Sequence, residues 1–206
     1  MMETPESKET GRIEAFSDGV FAIAITLLVL EIKVPNHNTV ETTGLVSALL
    51  SLWPSYLAFI TSFATILVMW VNHHRIFSLV RRSDDSFLYW NGLLLLFVTF
   101  VPFPTALLAE YLLHSQAKVA ASVYTATFFA IALAYTGLWK HASQGRRLLT
   151  QEAKSEQTEA ITKQYRFGPL LYLIAFVLSF ISVGLSVGLC IVLAVFFAFR
   201  SFSFKL

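Results

Sequence analysis

Apolar residues along the chain gather into six stretches bounded by polar or charged positions, roughly 13–33, 54–77, 86–109, 117–139, 167–184 and 186–203. A helix that crosses a bilayer needs about 20 mostly apolar residues. The pattern therefore predicts an all-α integral membrane protein with six transmembrane helices, residues 1–206 forming a single domain. The run from Phe167 to Phe199 is too long for one span and is expected to fold as a tight hairpin turning near Ser182–Ser186. Pro54 suits the first turn of the second helix. Pro102 and Pro104 remove backbone donors and should break or kink the far end of the third. Glu41–Trp53 is mildly amphipathic and too short to span, which predicts an interfacial helix. A re-entrant pore helix is the alternative, although no TVGYG-like filter follows it. The segment Lys140–Arg166 carries alternating charges and is expected to be a helical extension rather than a domain.

Composition sharpens this picture. Of 206 residues, 56% are hydrophobic and 14% charged, and the mean hydropathy is +0.65. Soluble domains carry about 25% charged residues, so an extended soluble catalytic domain is excluded. A net charge of +2 gives no argument for nucleic acid as a partner. With the N-terminus placed inside, thirteen of the 15 Lys and Arg residues fall on the cytoplasmic side, leaving Lys33 and Lys118 outside. The positive-inside rule then predicts cytoplasmic N- and C-termini. The first apolar stretch holds Asp18 and Glu31 with no small-residue cleavage pattern after it, so no cleavable leader is expected.

The first helix is not an ordinary anchor. Its uncharged part, Gly19–Leu30, has only 12 residues, so Asp18 must sit near the membrane boundary, where ionisable groups usually face protein. At about 100° per residue, with Ile23 at 0°, Leu27, Leu30 and Phe16 lie within about 40° of it and Thr26 on the edge of the stripe. Asp18 and Glu14 lie on the far side. A second stripe, Ala15, Gly19, Ala22 and Thr26, is small throughout and permits close helix approach. The apolar stripe is either ordinary core or lipid-facing surface, or copies of this helix surround an axis and form a hydrophobic constriction that gates ions by dewetting.

A polar layer is expected at one depth, from Ser17, Asp18, Trp70, His73, His74 and Asn91. Trp70, His73 and His74 recur at helical spacing, and Asp18 could accept from a histidine or from the Trp70 indole. A structural network, a proton or ligand site and a metal site all use such residues. No cysteine supports a metal. No phosphate loop, GxSxG, HExxH or paired carboxylates point to an enzyme.

The segment Arg12–Leu30 reads RIEAFSDGVFAIAITLLVL, and residues 70–75 read WVNHHR. Both resemble the transmembrane protein 175 family, the endolysosomal potassium channels and their prokaryotic relatives. Animal members carry two six-helix repeats; this chain has one Phe-Ser-Asp triplet and one set of spans. The resemblance therefore implies the prokaryotic single-repeat form: a homotetramer in a prokaryotic plasma membrane, passing potassium among monovalent cations, with no cofactor. It implies that the first helices line the pore. Ile23 would form the narrowest ring, followed outward by Leu27 and Leu30, and Thr26 would aid Ile23 in ion selection. Arg12, Phe16, Ser17 and Asp18 would hold the pore helix against Trp70, His73 and Asn91. The competing reading is a proton-coupled or proton-conducting transporter using Asp18 and His73.

Overall fold

The structure is a computed structural model that describes residues 5–151, 153 and 155–202, with side chains within 10–151, 153 and 155–198. The helices are α1 Pro5–Leu27, continued by a 3-10 turn at Leu28–Glu31; α2 His37–Thr43; α3 Leu45–Ser51; α4 Trp53–Phe77; α5 Asp85–Phe100; α6 Pro102–Tyr111; α7 Ala117–Ser143; α8 Ser155–Ile181; and α9 Val183–Phe202. Among the described residues five helical stretches are long and apolar enough to cross a membrane, with Val183–Ala198 a shorter apolar helix. The fold is all-α, and its composition and helix lengths make it a multi-pass membrane protein.

Local chemistry explains most boundaries. Asn36 caps α2 by accepting from the Thr39 amide at 2.8 Å. Gly44, at φ +82°, splits α2 from α3, a left-handed turn that glycine adopts without steric penalty. Only Ala48 of α3 is buried, while Leu45, Val46, Leu49 and Leu50 are exposed. Pro54 occupies the first turn of α4. At the α5–α6 junction Val101 keeps helical angles (φ −55°, ψ −39°), so the prolines interrupt the third span's helix at one residue without ending the span. α8 and α9 are parted at Ser182 alone, and Ser186 Oγ ties the hairpin by donating to the Ala175 carbonyl at 2.8 Å.

α7 is the central post: 61% of its spanning window is buried, against 22% for α1. It packs along α8 and touches α5, α6 and α9, while α1 leans on α4 and α5 at the edge. Several interior polar groups are paired. Ser62 Oγ lies 2.8 Å from Thr105 Oγ1 and 3.0 Å from the Tyr124 hydroxyl, and the Tyr135 hydroxyl donates to the Met69 carbonyl at 2.6 Å. Pro169 stands inside α8 and cannot donate to the carbonyl of Tyr165. Thr136 Oγ1 of α7 lies 2.9 Å from that carbonyl and 2.8 Å from the Ala132 carbonyl of its own helix, so its one proton is shared between the two. Thr136→Val keeps the shape and removes the donor. It is expected to cost about 1–2 kcal/mol, read as a lower thermal midpoint of the purified protein.

The connection between α7 and α8 corrects one expectation. α7 runs on to Ser143 and α8 begins at Ser155, so both ends are helical extensions. Between them the chain leaves the helix and lies along the α4–α5 connection. Arg81 N donates to the Leu148 carbonyl at 2.8 Å and Thr150 N to the Leu79 carbonyl at 2.9 Å, around an antiparallel bridge between Val80 and Leu149. Val80, Leu148 and Leu149 are buried there. Burying these apolar side chains favours extended docking over continued helix, which would leave the backbone groups of the α4–α5 connection without these partners.

Candidate functional site

The site is α1 from Arg12 onward, with its 3-10 continuation, and the helices that grip it. At about 100° per residue, Ser17, Phe21, Ala24 and Leu28 fall in one narrow sector, and all four are buried. That sector packs on α4 and α5. The opposite sector is open within the subunit: Ile23 is 59% exposed, Leu27 40% and Leu30 64%. Thr26, Ala15, Gly19 and Ala22 are exposed too. Thr26 Oγ1 has the Ala22 and Ile23 carbonyls at 3.0 and 2.9 Å. Its single proton is thus committed to the backbone, and its lone pairs remain as acceptors.

Behind this face runs a directional chain of buried hydrogen bonds. Ser17 Oγ donates to the Ile13 carbonyl at 2.9 Å. Asn91 Nδ2 donates to Ser17 Oγ at 3.0 Å. Asn91 Oδ1 must then accept, so His73 Nε2 carries the hydrogen across 2.9 Å. His73 is fully buried, stacked on Phe77 at 4.3 Å and tilted against Phe21 at 5.3 Å. Its Nδ1 has no hydrogen-bond partner among the described residues.

Two carboxylates of α1 meet the exposed flank of α4. The Trp70 indole donates to Asp18 Oδ1 at 2.8 Å, and His74 Nδ1 contacts Glu14 Oε1 at 2.7 Å. Trp70 and His74 stack with centroids 6.4 Å apart. Of the two partners considered for Asp18, the indole takes the bond, and His73 turns to Asn91 instead. The Glu14–His74 pair was not anticipated, although the wheel placed Glu14 on the same far side as Asp18.

Arg12 and Phe16 stand outside this network. Both are exposed, Phe16 by 67%, and with Leu88, Asn91 and Gly92 they line a groove of about 390 Å³ between α1 and α5. The reason is angular: both lie within about 20° of Ile23 on the wheel, on the unpacked side. Within the subunit they therefore do not hold α1 against Trp70 and His73. Among the described residues no group of three or more His, Cys, Asp or Glu is arranged to hold a metal.

A second clamp lies at the base of α5, which sequence reasoning missed. Asp84 Oδ1 accepts from the Phe87 amide at 2.8 Å and lies 2.7 Å from His141 Nε2, while Arg147 reaches Oδ2 at 3.4 Å. An Asp three residues before an apolar amide is a helix-cap signal that could have found it. Burial pushes the Asp84 carboxyl up, but the Phe87 amide, His141 and Arg147 together outweigh it and hold it below its ordinary value. A depressed carboxyl stabilises the fold above its unfolded value, about 3.9, and loses that contribution as pH falls through the folded value. Asp84→Asn is therefore expected to cost about 0.5–1 kcal/mol at pH 7. The gap to the unmodified protein should close below about pH 4 in thermal unfolding, following the carboxyl's own titration.

Residues 12–102 match the family described as the endosomal/lysosomal potassium channel TMEM175. A potassium channel of Chamaesiphon minutus is 75% identical over 201 residues, covering 98% of this chain and 99% of that protein. The crystal structure of a lysosomal potassium-selective channel TMEM175 homologue from the same organism aligns with a TM-score of 0.88 at 73% identity, over 94% of this chain and 98% of that one. The endosomal/lysosomal proton channel TMEM175 of Rattus norvegicus is 42% identical over 107 residues, which is 49% of this chain and 21% of the rat protein.

Proposed function

Because the chain belongs to the TMEM175 family, we propose that it is a potassium-selective cation channel that conducts along the open face of α1 in a homotetramer. The observation that carries this reading is the two-sided character of α1. One sector is buried against α4 and α5, while Ile23, Leu27 and Leu30 on the other side are exposed. Four such helices around an axis enclose a narrow apolar passage, with Ile23 the tightest ring. Dewetting of such a passage opposes ion entry, and a partly dehydrated potassium ion sheds water more cheaply than sodium. The outward lone pairs of Thr26 offer a replacement ligand beside the ring. Ser17, Asp18, Trp70, His73 and Asn91 fix the helix from behind and do not touch the ion. The proposed channel has both termini in the cytoplasm of a prokaryotic cell, performs no catalysis and needs no cofactor.

The test is flux from liposomes holding the purified protein. Potassium efflux is expected to exceed sodium efflux under matched gradients. Equal rates for the two ions, or silence from an intact oligomer, would overturn the reading.

The rat relative's name gives the proton reading its support. In this chain Asp18 is bonded to Trp70 and His73 to Asn91. An amide nitrogen does not readily release a proton, so Asn91 is a poor relay between His73 and Ser17. Proton flux without potassium flux would establish that alternative.

A further inference from the structure

We propose that Arg81, Arg82, Arg146 and Arg147 form a binding site for the phosphate group of an anionic membrane lipid. The site is separate from the conduction path and does not depend on the channel reading.

The four arginines come from two distant connections. Arg81 and Arg82 follow α4, and Arg146 and Arg147 follow α7. The backbone bonds from Arg81 and Arg82 to the Leu148 carbonyl, at 2.8 and 3.4 Å, and from Thr150 to the Leu79 carbonyl bring them together. Their side chains, with Leu149 and Gln151, line a cavity of about 270 Å³. That is far above the roughly 10–15 Å³ needed for a single water. The positive-inside tendency explains basic residues at this end of the bundle. It does not explain their convergence on one cavity, which like-charge repulsion opposes.

The cluster is built rather than loose. Arg146 donates to the Ala153 carbonyl at 2.5 Å and reaches Ser155 Oγ at 3.5 Å. Arg147 is braced by Asp84. Arg146 also sits at φ +56°, directly after Gly145 at φ +62°, a left-handed conformation that disfavours a residue with a Cβ. The surrounding contacts hold it there.

Depth identifies the source of the phosphate. Leu88, Tyr89 and Trp90, in the first turns of α5, are exposed, Tyr89 by 80%. Exposed aromatics of this kind mark the membrane–water interface. Arg82 precedes Tyr89 by seven residues, and a long arginine stem carries its head to the lipid headgroup level. The guanidinium fork matches phosphate oxygens in pairs. Thr10 Oγ1, at the start of α1, donates to the Arg81 carbonyl at 3.2 Å, so an occupied cavity would brace the base of that helix.

The experiment is native mass spectrometry and thermal unfolding of the full-length protein in a neutral detergent, with phosphatidylglycerol, phosphatidylcholine or inorganic phosphate added. Phosphatidylglycerol is expected to bind at least tenfold more tightly than phosphatidylcholine and to raise the thermal midpoint. The pair Arg81→Gln and Arg146→Gln should weaken it at least tenfold. The pair Lys140→Gln and Lys163→Gln, the same charge loss outside the cavity, should leave it unchanged. Should the first pair fail to fold, Arg82→Lys with Arg147→Lys keeps the charge and removes the fork, and a several-fold loss is expected. Equal weakening by the lysine pair, equal binding of phosphatidylcholine, binding of inorganic phosphate as tight as the lipid, or no loss in the Arg-to-Lys pair would each overturn the proposal.

Discussion

Ile23→Asn is expected to raise potassium flux through liposome-reconstituted protein by roughly tenfold, equivalent to about 1.4 kcal/mol off the barrier. In the proposed tetramer the substitution places four amides where four apolar side chains oppose hydration. Wetting the narrowest ring removes a dewetting barrier and should also erode discrimination against sodium. The fold should tolerate it. Ile23 is 59% exposed and lies opposite the packed sector of α1, and surface changes away from special contacts usually stay within about 0.5 kcal/mol. A changed flux at unchanged thermal stability therefore separates a pore role from a structural one. Unchanged flux would remove Ile23 from the constriction and move attention to Leu27 and Leu30.

Asn91→Leu is expected to be the most damaging single change for stability. Asn91 is buried and serves two partners, accepting from His73 and donating to Ser17. Leucine keeps the branching at Cγ, is larger, and satisfies neither. The His73 Nε2–H is left without an acceptor in an apolar surround of Phe21 and Phe77. Each stranded buried group costs about 1–3 kcal/mol, so a loss of about 3 kcal/mol is expected, seen in thermal unfolding and in the recovery of intact oligomer. Combining Asn91→Leu with His73→Phe removes both partners of one bond and should restore part of the loss, since matched apolar replacement is often nearly neutral. A double variant as unstable as the sum of the two singles would show that the His73–Asn91 bond is not the source of the effect.

Several features were legible in the residues because their causes are local. Six apolar stretches read as helices because a bilayer demands length and internal hydrogen bonding. Pro54 at a first turn, the interruption before Pro102 and Pro104, and the hairpin near Ser182 follow from what proline and short polar breaks do to a backbone. The polar layer was legible as a set, since Ser17, Asp18, Trp70, His73 and Asn91 come to one depth by counting residues. Its pairing was not. Whether the indole or an imidazole reaches Asp18 depends on how α4 is rotated against α1 and α5, and that rotation is set by packing.

The same division runs through the two connections at the base of the bundle. Alternating charge in Lys140–Arg166 describes a solvated surface, and a helix is the simplest solvated surface. The extended docking of Leu148 and Leu149 beside Val80 requires a partner from the α4–α5 connection, 60 or more residues away in the chain.

What the sequence by itself determined is the membrane-embedded all-helical architecture and, on α1, the apolar stripe of Ile23, Leu27 and Leu30 with the small stripe beside it, because hydropathy and a 3.6-residue period are properties of the chain alone. Which sector is buried was decided only by the tertiary structure. Phe21, Ala24 and Leu28 are no more apolar than Ile23, Leu27 and Leu30, so hydrophobicity alone does not select them for burial. The packed sector is the one that carries Ser17, whose bond to Asn91 is available only on that side, and the other, with Arg12 and Phe16, faces out.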